Sequence, residues 1–151
     1  GMEYCVHGDL FDALYRQENQ PSFETKRDYL MDICSALMYI HELGVVHGDI
    51  KPENIGIGAD KRIRLLDFGM SRKVSEESDQ GETCCKVAAD GGTLPYCSPE
   101  RILKLQHGCE VDWWSFGVLM YEFFVYELPW FDEDKYRLCD MILFSPIPAR
   151  Y

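Results

Sequence analysis

Positive charge is scarce in this sequence. Lysine and arginine together number 15 against 26 aspartates and glutamates, which leaves a formal net charge of −11. A field of that sign repels nucleic-acid backbones and anionic membrane surfaces, so we expect no nucleic acid and no membrane among its partners. Basic peptides suit such a surface better, although acidity is also an ordinary source of solubility.

Patterns for metal binding and disulfide pairing are missing as well. The seven cysteines are odd in number, form no CxxC pair and have no histidine at zinc-site spacing. Neither a disulfide framework nor a zinc site is indicated. Reduced thiols fit an intracellular protein of the cytoplasm or nucleus.

Long hydrophobic runs are absent. The most apolar stretch, residues 113–125, is interrupted by Ser115 and Glu122, and it falls short of the roughly 18 apolar residues that span a bilayer. The first residues also lack the charged and apolar regions of a secretory signal. We interpret the apolar stretch as a buried core helix.

The sequence does contain enough apolar residues for one core, at 46% of a 151-residue chain. A first helix is predicted after Asp9, which can cap it, and a second begins near Pro21 and stops at Gly44. The second helix carries an apolar stripe at near-helical spacing: Phe23, Leu30, Ile33, Leu37 and Ile40.

The remaining elements are predicted in the second half. Two short apolar runs, 55–57 and 63–66, flank a turn sequence and predict a β-hairpin. A loop-rich stretch over 67–97 follows. Further helices are predicted after Pro99, over 111–125 and after Asp132.

One loop concentrates chemically useful side chains. Residues 47–54 read HGDIKPEN, which places a carboxylate, a cation and a carboxamide at a spacing that phosphoryl transfer can use. Asp49 can accept the proton of an attacking hydroxyl, Lys51 can neutralise charge, and the amide oxygen of Asn54 can hold Mg²⁺. Taken alone, the loop could equally be a polar turn.

Three further motifs follow in order. Residues 67–69 read DFG directly after a predicted strand, residues 92–100 read GTLPYCSPE, and residues 112–117 read DWWSFG. With the 47–54 loop, this ordered set resembles the protein kinase family from about Met2 to Pro148. The resemblance implies an α+β protein kinase-like fold, here the mainly helical C-terminal lobe with a small β-hairpin beside the catalytic loop.

The resemblance also implies roles for the residues of these motifs. Asp49 would be the catalytic base and Lys51 the cation that faces the phosphate. Asn54 and Asp67 would be the metal ligands for Mg²⁺, and Thr93 would join the substrate-binding loop to them.

On the nucleotide side, the resemblance implies that ATP binds at a hinge formed by the first residues. The carbonyl of Glu3 and the amide of Cys5 would contact adenine, and Asp9 would contact the ribose or a peptide. Gly56 stands where the family commonly has a leucine under the adenine. That loss would cost about 1 to 2 kcal/mol, or roughly tenfold in nucleotide affinity, and Ile55 or Ile57 could compensate.

Other matched positions imply structural tasks. His47 and Phe68 would stack inside the lobe, and Asp112 would accept backbone amides of the catalytic loop. Gly69 belongs to the same motif as Phe68, and Glu100 would pair with helices beyond the matched motifs.

The wording of the loop also bears on substrates. Lys51 followed by Pro-Glu-Asn resembles the serine/threonine-directed version, and protein substrates are implied. Three carboxylates at groove positions, Asp9, Glu53 and Glu122, predict a preference for basic residues before the phosphoacceptor. The alternative is that Asp9 only caps a helix and Glu122 pairs internally.

Two departures leave a second function open. Gly48 replaces the arginine that usually clamps a phosphorylated activation loop, and Arg72 or Lys73 could serve in part. We expect residues 1–151 to be a partial kinase domain, from the hinge to the helix G region, without the N-terminal lobe and the last helices, and not competent alone. A non-catalytic kinase-like scaffold or decoy is the alternative to an enzyme.

Overall fold

A computed structural model describes residues 5–16, 20–74 and 92–149. Its helices are α1 (Leu10–Tyr15), α2 (Phe23–Glu42), α3 (Pro99–Ile102), α4 (Glu110–Val125) and α5 (Lys135–Phe144). The strands are β1 (Val45–Val46), β2 (Ile55–Ile57), β3 (Ile63–Leu65) and β4 (Arg72–Lys73). The mainly helical architecture with a small hairpin, predicted from the sequence, is confirmed.

The long helix α2 forms where its caps and stripe predict it. The Ser22 hydroxyl accepts the Thr25 amide at 3.2 Å, and the chain leaves the helix through Gly44 at φ +67°. Leu30, Ile33, Leu37 and Ile40 are buried as expected. Phe23 was wrongly placed on this stripe, since it lies in the first turn and is 66% exposed.

Two antiparallel strand pairs frame the candidate site. The predicted hairpin forms from β2 and β3, with Gly56 opposite Arg64. The second pair, β1 with β4, was not predicted, and it joins the residues before the 47–54 loop to those after the 67–69 motif. The 47–54 loop and the 67–69 motif are therefore each flanked by short paired strands on both sides.

The core lies between α1, α2, α4 and the hairpin. Its fully buried members come from these helices, from the hairpin and, for Ile50, from the 47–54 loop: Leu10, Leu14, Ile33, Leu37, Ile50, Ile55, Leu119 and Phe123. In the described ranges, none of the helices has the length and apolarity to cross a membrane.

Candidate active site

Asp112 fixes the start of the 47–54 loop. This carboxylate lies in the first turn of α4 and is 1% exposed. It accepts the backbone amides of His47 and Gly48, both at 2.8 Å, and Nε2 of His41 at 2.9 Å. These are the backbone contacts expected of Asp112, and they anchor the loop to the core helix.

His47 links the loop to the 67–69 motif. Its buried ring lies 2.9 Å from the Leu66 carbonyl through Nε2, while Nδ1 accepts the Asp49 amide at 3.3 Å. Because a carbonyl can only accept, Nε2 is the donor in this contact, and Nδ1 is the acceptor in the other. The rings of His47 and Phe68 are in contact, 4.8 Å apart between centroids, but they are tilted by 57°. Because Phe68 is 45% exposed, the expected stack inside the lobe is not formed.

Asp49 is the centre of a connected set of polar side chains. Its Oδ1 accepts the amide and the hydroxyl of Thr93, both at 3.0 Å. Its Oδ2 accepts Asn54 Nδ2 at 2.9 Å and lies 3.1 Å from Lys51 Nζ. Lys51 Nζ also donates to the Thr93 hydroxyl at 2.7 Å. Residues up to 44 positions apart thus converge on one carboxylate.

This environment keeps Asp49 ionised. Partial burial alone would raise the pKa of its carboxyl, but the hydrogen bonds from Lys51 and Thr93 and the charge of Lys51 outweigh burial, so the pKa lies below its ordinary value. At neutral pH the group is a carboxylate that can orient a hydroxyl and accept its proton.

Asn54 and Asp67 each carry a side-chain oxygen, and a backbone hydrogen bond joins the segments to which they belong. The Asn54 amide nitrogen is committed to the carbonyl and carboxylate of Asp49, so its oxygen faces the other way. The backbone carbonyl of Asn54 accepts the Leu66 amide at 2.8 Å. This bond holds the segment that continues into Asp67 beside the backbone of Asn54. Asp67 is exposed, at φ 54°, and its carboxylate caps Gly69.

The donor set fits Mg²⁺ bound together with a nucleotide. Within the described ranges no group of three or more His, Cys, Asp and Glu could hold a metal by itself. Mg²⁺ is commonly held by only one or two protein oxygens and takes its other ligands from phosphates and water. Asn54 and Asp67 would supply those oxygens.

On the nucleotide side, Glu3 lies outside the described residues. Cys5 and Asp9 are described, and the segment that carries them lies along β2, where Ile57 N donates to the Gly8 carbonyl at 2.9 Å and Asp9 bridges Gly56. A Cβ at Gly56 would collide with Cys5 Sγ and would lie 2.9 Å from Leu66 Cδ1.

The place of the missing side chain at Gly56 is therefore filled. The expectation that Ile55 or Ile57 would compensate is wrong, because both are buried in the core. Cys5 and Leu66 close over the glycine instead. A cysteine and a leucine far apart in sequence gave no local signal of this packing.

Glu122 has internal partners. This 4% exposed carboxylate accepts the Tyr15 hydroxyl at 2.7 Å and the Tyr96 hydroxyl at 2.5 Å. Burial raises the pKa of Glu122, and the two hydroxyl bonds only partly offset that effect. Of the two roles considered for Glu122, these contacts support internal pairing. Asp9 caps α1, and Glu53 is exposed.

The sequence missed the cation beside Gly48. Arg72 and Lys73 are exposed on β4, whereas Arg101 Nη1 in α3 donates to the Gly48 carbonyl at 2.5 Å. The contact joins residues 53 positions apart, so no local pattern could reveal it.

Glu100, the residue before Arg101, has a buried Oε2 without a hydrogen-bond partner in the described part of the chain.

Comparison with known proteins agrees with this geometry. Residues 1–145 match the family model described as Protein kinase domain. The chain is 38% identical over 146 residues to the RAC-beta serine/threonine-protein kinase of Rattus norvegicus, covering 97% of this chain and 29% of that protein. It is 37% identical over 145 residues to the cAMP-dependent protein kinase catalytic subunit 3 of Drosophila melanogaster, covering 96% and 23%.

A third relative is the ribosomal protein S6 kinase alpha-3 of Mus musculus, 34% identical over 142 residues that cover 94% of this chain and 18% of that protein. The chain therefore spans less than a third of the length of these relatives.

Proposed function

This chain belongs to the protein kinase family, and we propose that the protein containing it is a serine/threonine kinase that transfers the γ-phosphoryl group of ATP to protein hydroxyls. One observation carries the proposal: the Asp49 carboxylate is held at once by Lys51, Asn54 and Thr93. The similarity to the RAC-beta serine/threonine-protein kinase supports the same substrate class.

The residues divide the work of phosphoryl transfer between them. Asp49 orients the attacking hydroxyl and accepts its proton, and Lys51 places a positive charge beside the reacting oxygens. Thr93 holds both side chains in position from the substrate side. Mg²⁺ and ATP, when bound, supply the transferable phosphoryl group and neutralise its charge, with Asn54 and Asp67 as the protein ligands.

The described geometry does not favour a non-catalytic scaffold. Gly48 leaves the bonds around Asp49 in place, and the gap at Gly56 is filled by Cys5 and Leu66. We also propose an intracellular location, in the cytoplasm or nucleus. The five cysteines in the described ranges are free thiols, which fits a reducing compartment.

The experiment uses the full-length protein with Mg²⁺, ATP and peptides that differ only in carrying serine, threonine or tyrosine as the acceptor. We expect phosphate on the serine and threonine peptides, little on the tyrosine peptide and none after chelation of Mg²⁺. Transfer to tyrosine alone, or no transfer to any protein or peptide, would contradict the proposal.

A finer proposal concerns basic substrates. Exposed Glu53, with Asp9 near the hinge, would attract an arginine before the phosphoacceptor, without help from Glu122. Glu53→Ala should lower kcat/KM about tenfold for an arginine-bearing peptide and leave a neutral peptide unaffected. The exposed position Glu42 provides the control, Glu42→Ala. An equal loss of kcat/KM for both peptides would contradict the proposal that Glu53 binds the substrate arginine.

A further inference from the structure

A second concave surface adjoins the candidate active site. This pocket, of about 400 Å³, lies between the residues around Thr93, the α3 region and the start of α5. We call it the cationic pocket and define it by the residues used below: Gly92, Leu94, Cys97, Arg101, Lys104 and Lys135.

The charge of this pocket is opposite to that of the chain. Among the residues that the structure describes, Arg101, Lys104 and Lys135 line it and no carboxylate does, although the chain carries a net charge of −11. In the part of the chain that the structure describes, Lys104 and Lys135 form no ion pair. The neighbouring Asp134 caps α5, where its Oδ1 accepts two backbone amides.

Several residues that line the pocket are next to, or bonded to, the immediate neighbours of Asp49. Gly92 and Leu94 flank Thr93, whose amide and hydroxyl both bind the Asp49 carboxylate. Arg101 donates to the carbonyl of Gly48, the residue before Asp49. A group bound in the pocket would therefore lie close to the hydroxyl that Asp49 orients.

Two features keep the pocket cationic and open. A Cβ on Gly92, at φ +90°, would lie 2.8 Å from Arg101 Nη2, so the glycine leaves room for the guanidinium. Burial, the largest influence, raises the pKa of the Cys97 thiol, and the charge of Arg101 offsets that rise only in part, so the thiol stays neutral and does not cancel the cations.

We propose that the cationic pocket is a specificity site that binds a carboxylate or phosphate side chain of the peptide substrate, close in sequence to the phosphoacceptor. The inference deepens the kinase function proposed above and rests on it. Lysines on flexible stems can pair with either anion without a fixed geometry. Glu53 does not line this pocket, so if it attracts a basic residue, opposite charges at two separate sites would fix the direction in which the peptide binds.

The first test measures binding to the full-length protein. Fluorescent peptides share one sequence and place a single glutamate, phosphoserine or glutamine at each position near the acceptor. We expect one position at which the glutamate and phosphoserine peptides bind about fivefold more tightly than the glutamine peptide. If no position discriminates, the proposal is wrong.

Matched variants identify the surface that is responsible for the preference for an anionic peptide. The double variant Lys104→Gln with Lys135→Gln should bind the glutamate, phosphoserine and glutamine peptides equally. Lys61→Gln with Lys73→Gln makes the same change in net charge at exposed sites outside the pocket, and Lys61 shares the left-handed backbone of Lys104, at φ 59° against 56°. The control pair should keep the preference. If both double variants lose the preference equally, the preference comes from the net charge of the protein, and the proposal is wrong.

Kinetics separate this inference from the proposed function. In wild type, kcat/KM should be about fivefold higher for the glutamate peptide than for the glutamine peptide, and Lys135→Glu should reverse that order in favour of a lysine peptide. Normal phosphate transfer without these preferences would reject the pocket alone. If no peptide is phosphorylated, the kinase proposal fails and the binding experiment still decides the pocket.

Discussion

Gly48 lies at a backbone position that favours glycine. Its φ of +81° lies in the left-handed region, and an added Cβ would stand 3.0 Å from the Met70 carbonyl oxygen. The sequence alone identifies Gly48 only as a lost cation. In the structure the glycine also avoids backbone strain and a steric clash where the 47–54 loop meets the residues after the 67–69 motif.

We expect Gly48→Arg to lower the free energy of unfolding by about 1 to 2 kcal/mol, while kcat of the folded protein changes little, because the contacts of Asp49 do not involve that side chain. Denaturant unfolding of the full-length protein measures the cost. Gly48→Ala is the matched variant and should show a similar loss, since the strain begins at Cβ. An arginine variant as stable as wild type would contradict this view of the backbone.

At the scale of the elements, Glu122 joins three segments. Its two oxygens accept Tyr15 from the end of α1 and Tyr96 from the turn after Thr93, while its backbone belongs to α4. Burial, reinforced by the charge and hydrogen bond of Glu122, raises the pKa of Tyr96, so this phenol stays protonated and remains a donor. The network fixes the turn that carries Thr93 against the core.

This network predicts a pH dependence of stability. Because the folded pKa of Glu122 is raised, its contribution is fully present below its unfolded pKa and is lost as pH rises through the folded value. The unfolding free energy of wild type relative to Glu122→Gln should therefore fall as pH rises above the ordinary pKa of a glutamate. Denaturant unfolding measured over a series of pH values from acidic to neutral tests it, with Glu42→Gln as the exposed control. A constant difference, or one that grows with pH, would contradict the assignment.

Elements with a strong local pattern could be predicted, and contacts distant in sequence could not. The stripe and caps of α2 and the apolar runs of the hairpin lie within single segments, and the 47–54 loop holds Asp49, Lys51 and Asn54 within six residues of one another. Pairing of β1 with β4 was missed because each has only two residues.

Long-range contacts decided the details that sequence reasoning missed. The side chain of Lys26 is 7% exposed, although lysine is expected at the surface, because its ammonium donates to the Phe123 carbonyl at the end of α4 at 2.9 Å. The packing of Cys5 over Gly56 and the bond from Arg101 to Gly48 likewise join residues that no local pattern connects.

At the scale of the whole molecule, net negative charge and exposed apolar surface have opposite effects on association between copies of the chain. Large side chains such as Phe131, Tyr136 and Phe144 are exposed, and they favour association. The net charge of −11 opposes it through repulsion between copies.

Salt should therefore promote association of the 151-residue chain, because screening weakens the repulsion and leaves the apolar contacts intact. Sedimentation velocity at low and high sodium chloride, over a range of protein concentrations, measures this. We expect larger species at high salt and high concentration. A monomer at every salt and concentration, or dissociation by salt, would contradict the prediction.

We propose that Asp49 acts in the chemical step and does not merely hold the loop together. The most direct measurement compares Asp49→Asn with wild type in the full-length protein, for both single-turnover phosphate transfer and ATP affinity. Asparagine keeps the shape of the side chain but cannot accept the proton, so the transfer rate should fall by about 10² to 10⁴ while the Kd for ATP stays within about threefold. Asp60→Asn, at an exposed turn of the hairpin, should change neither. Full activity of Asp49→Asn, or a loss of ATP binding that accounts for the loss of rate, would contradict the account.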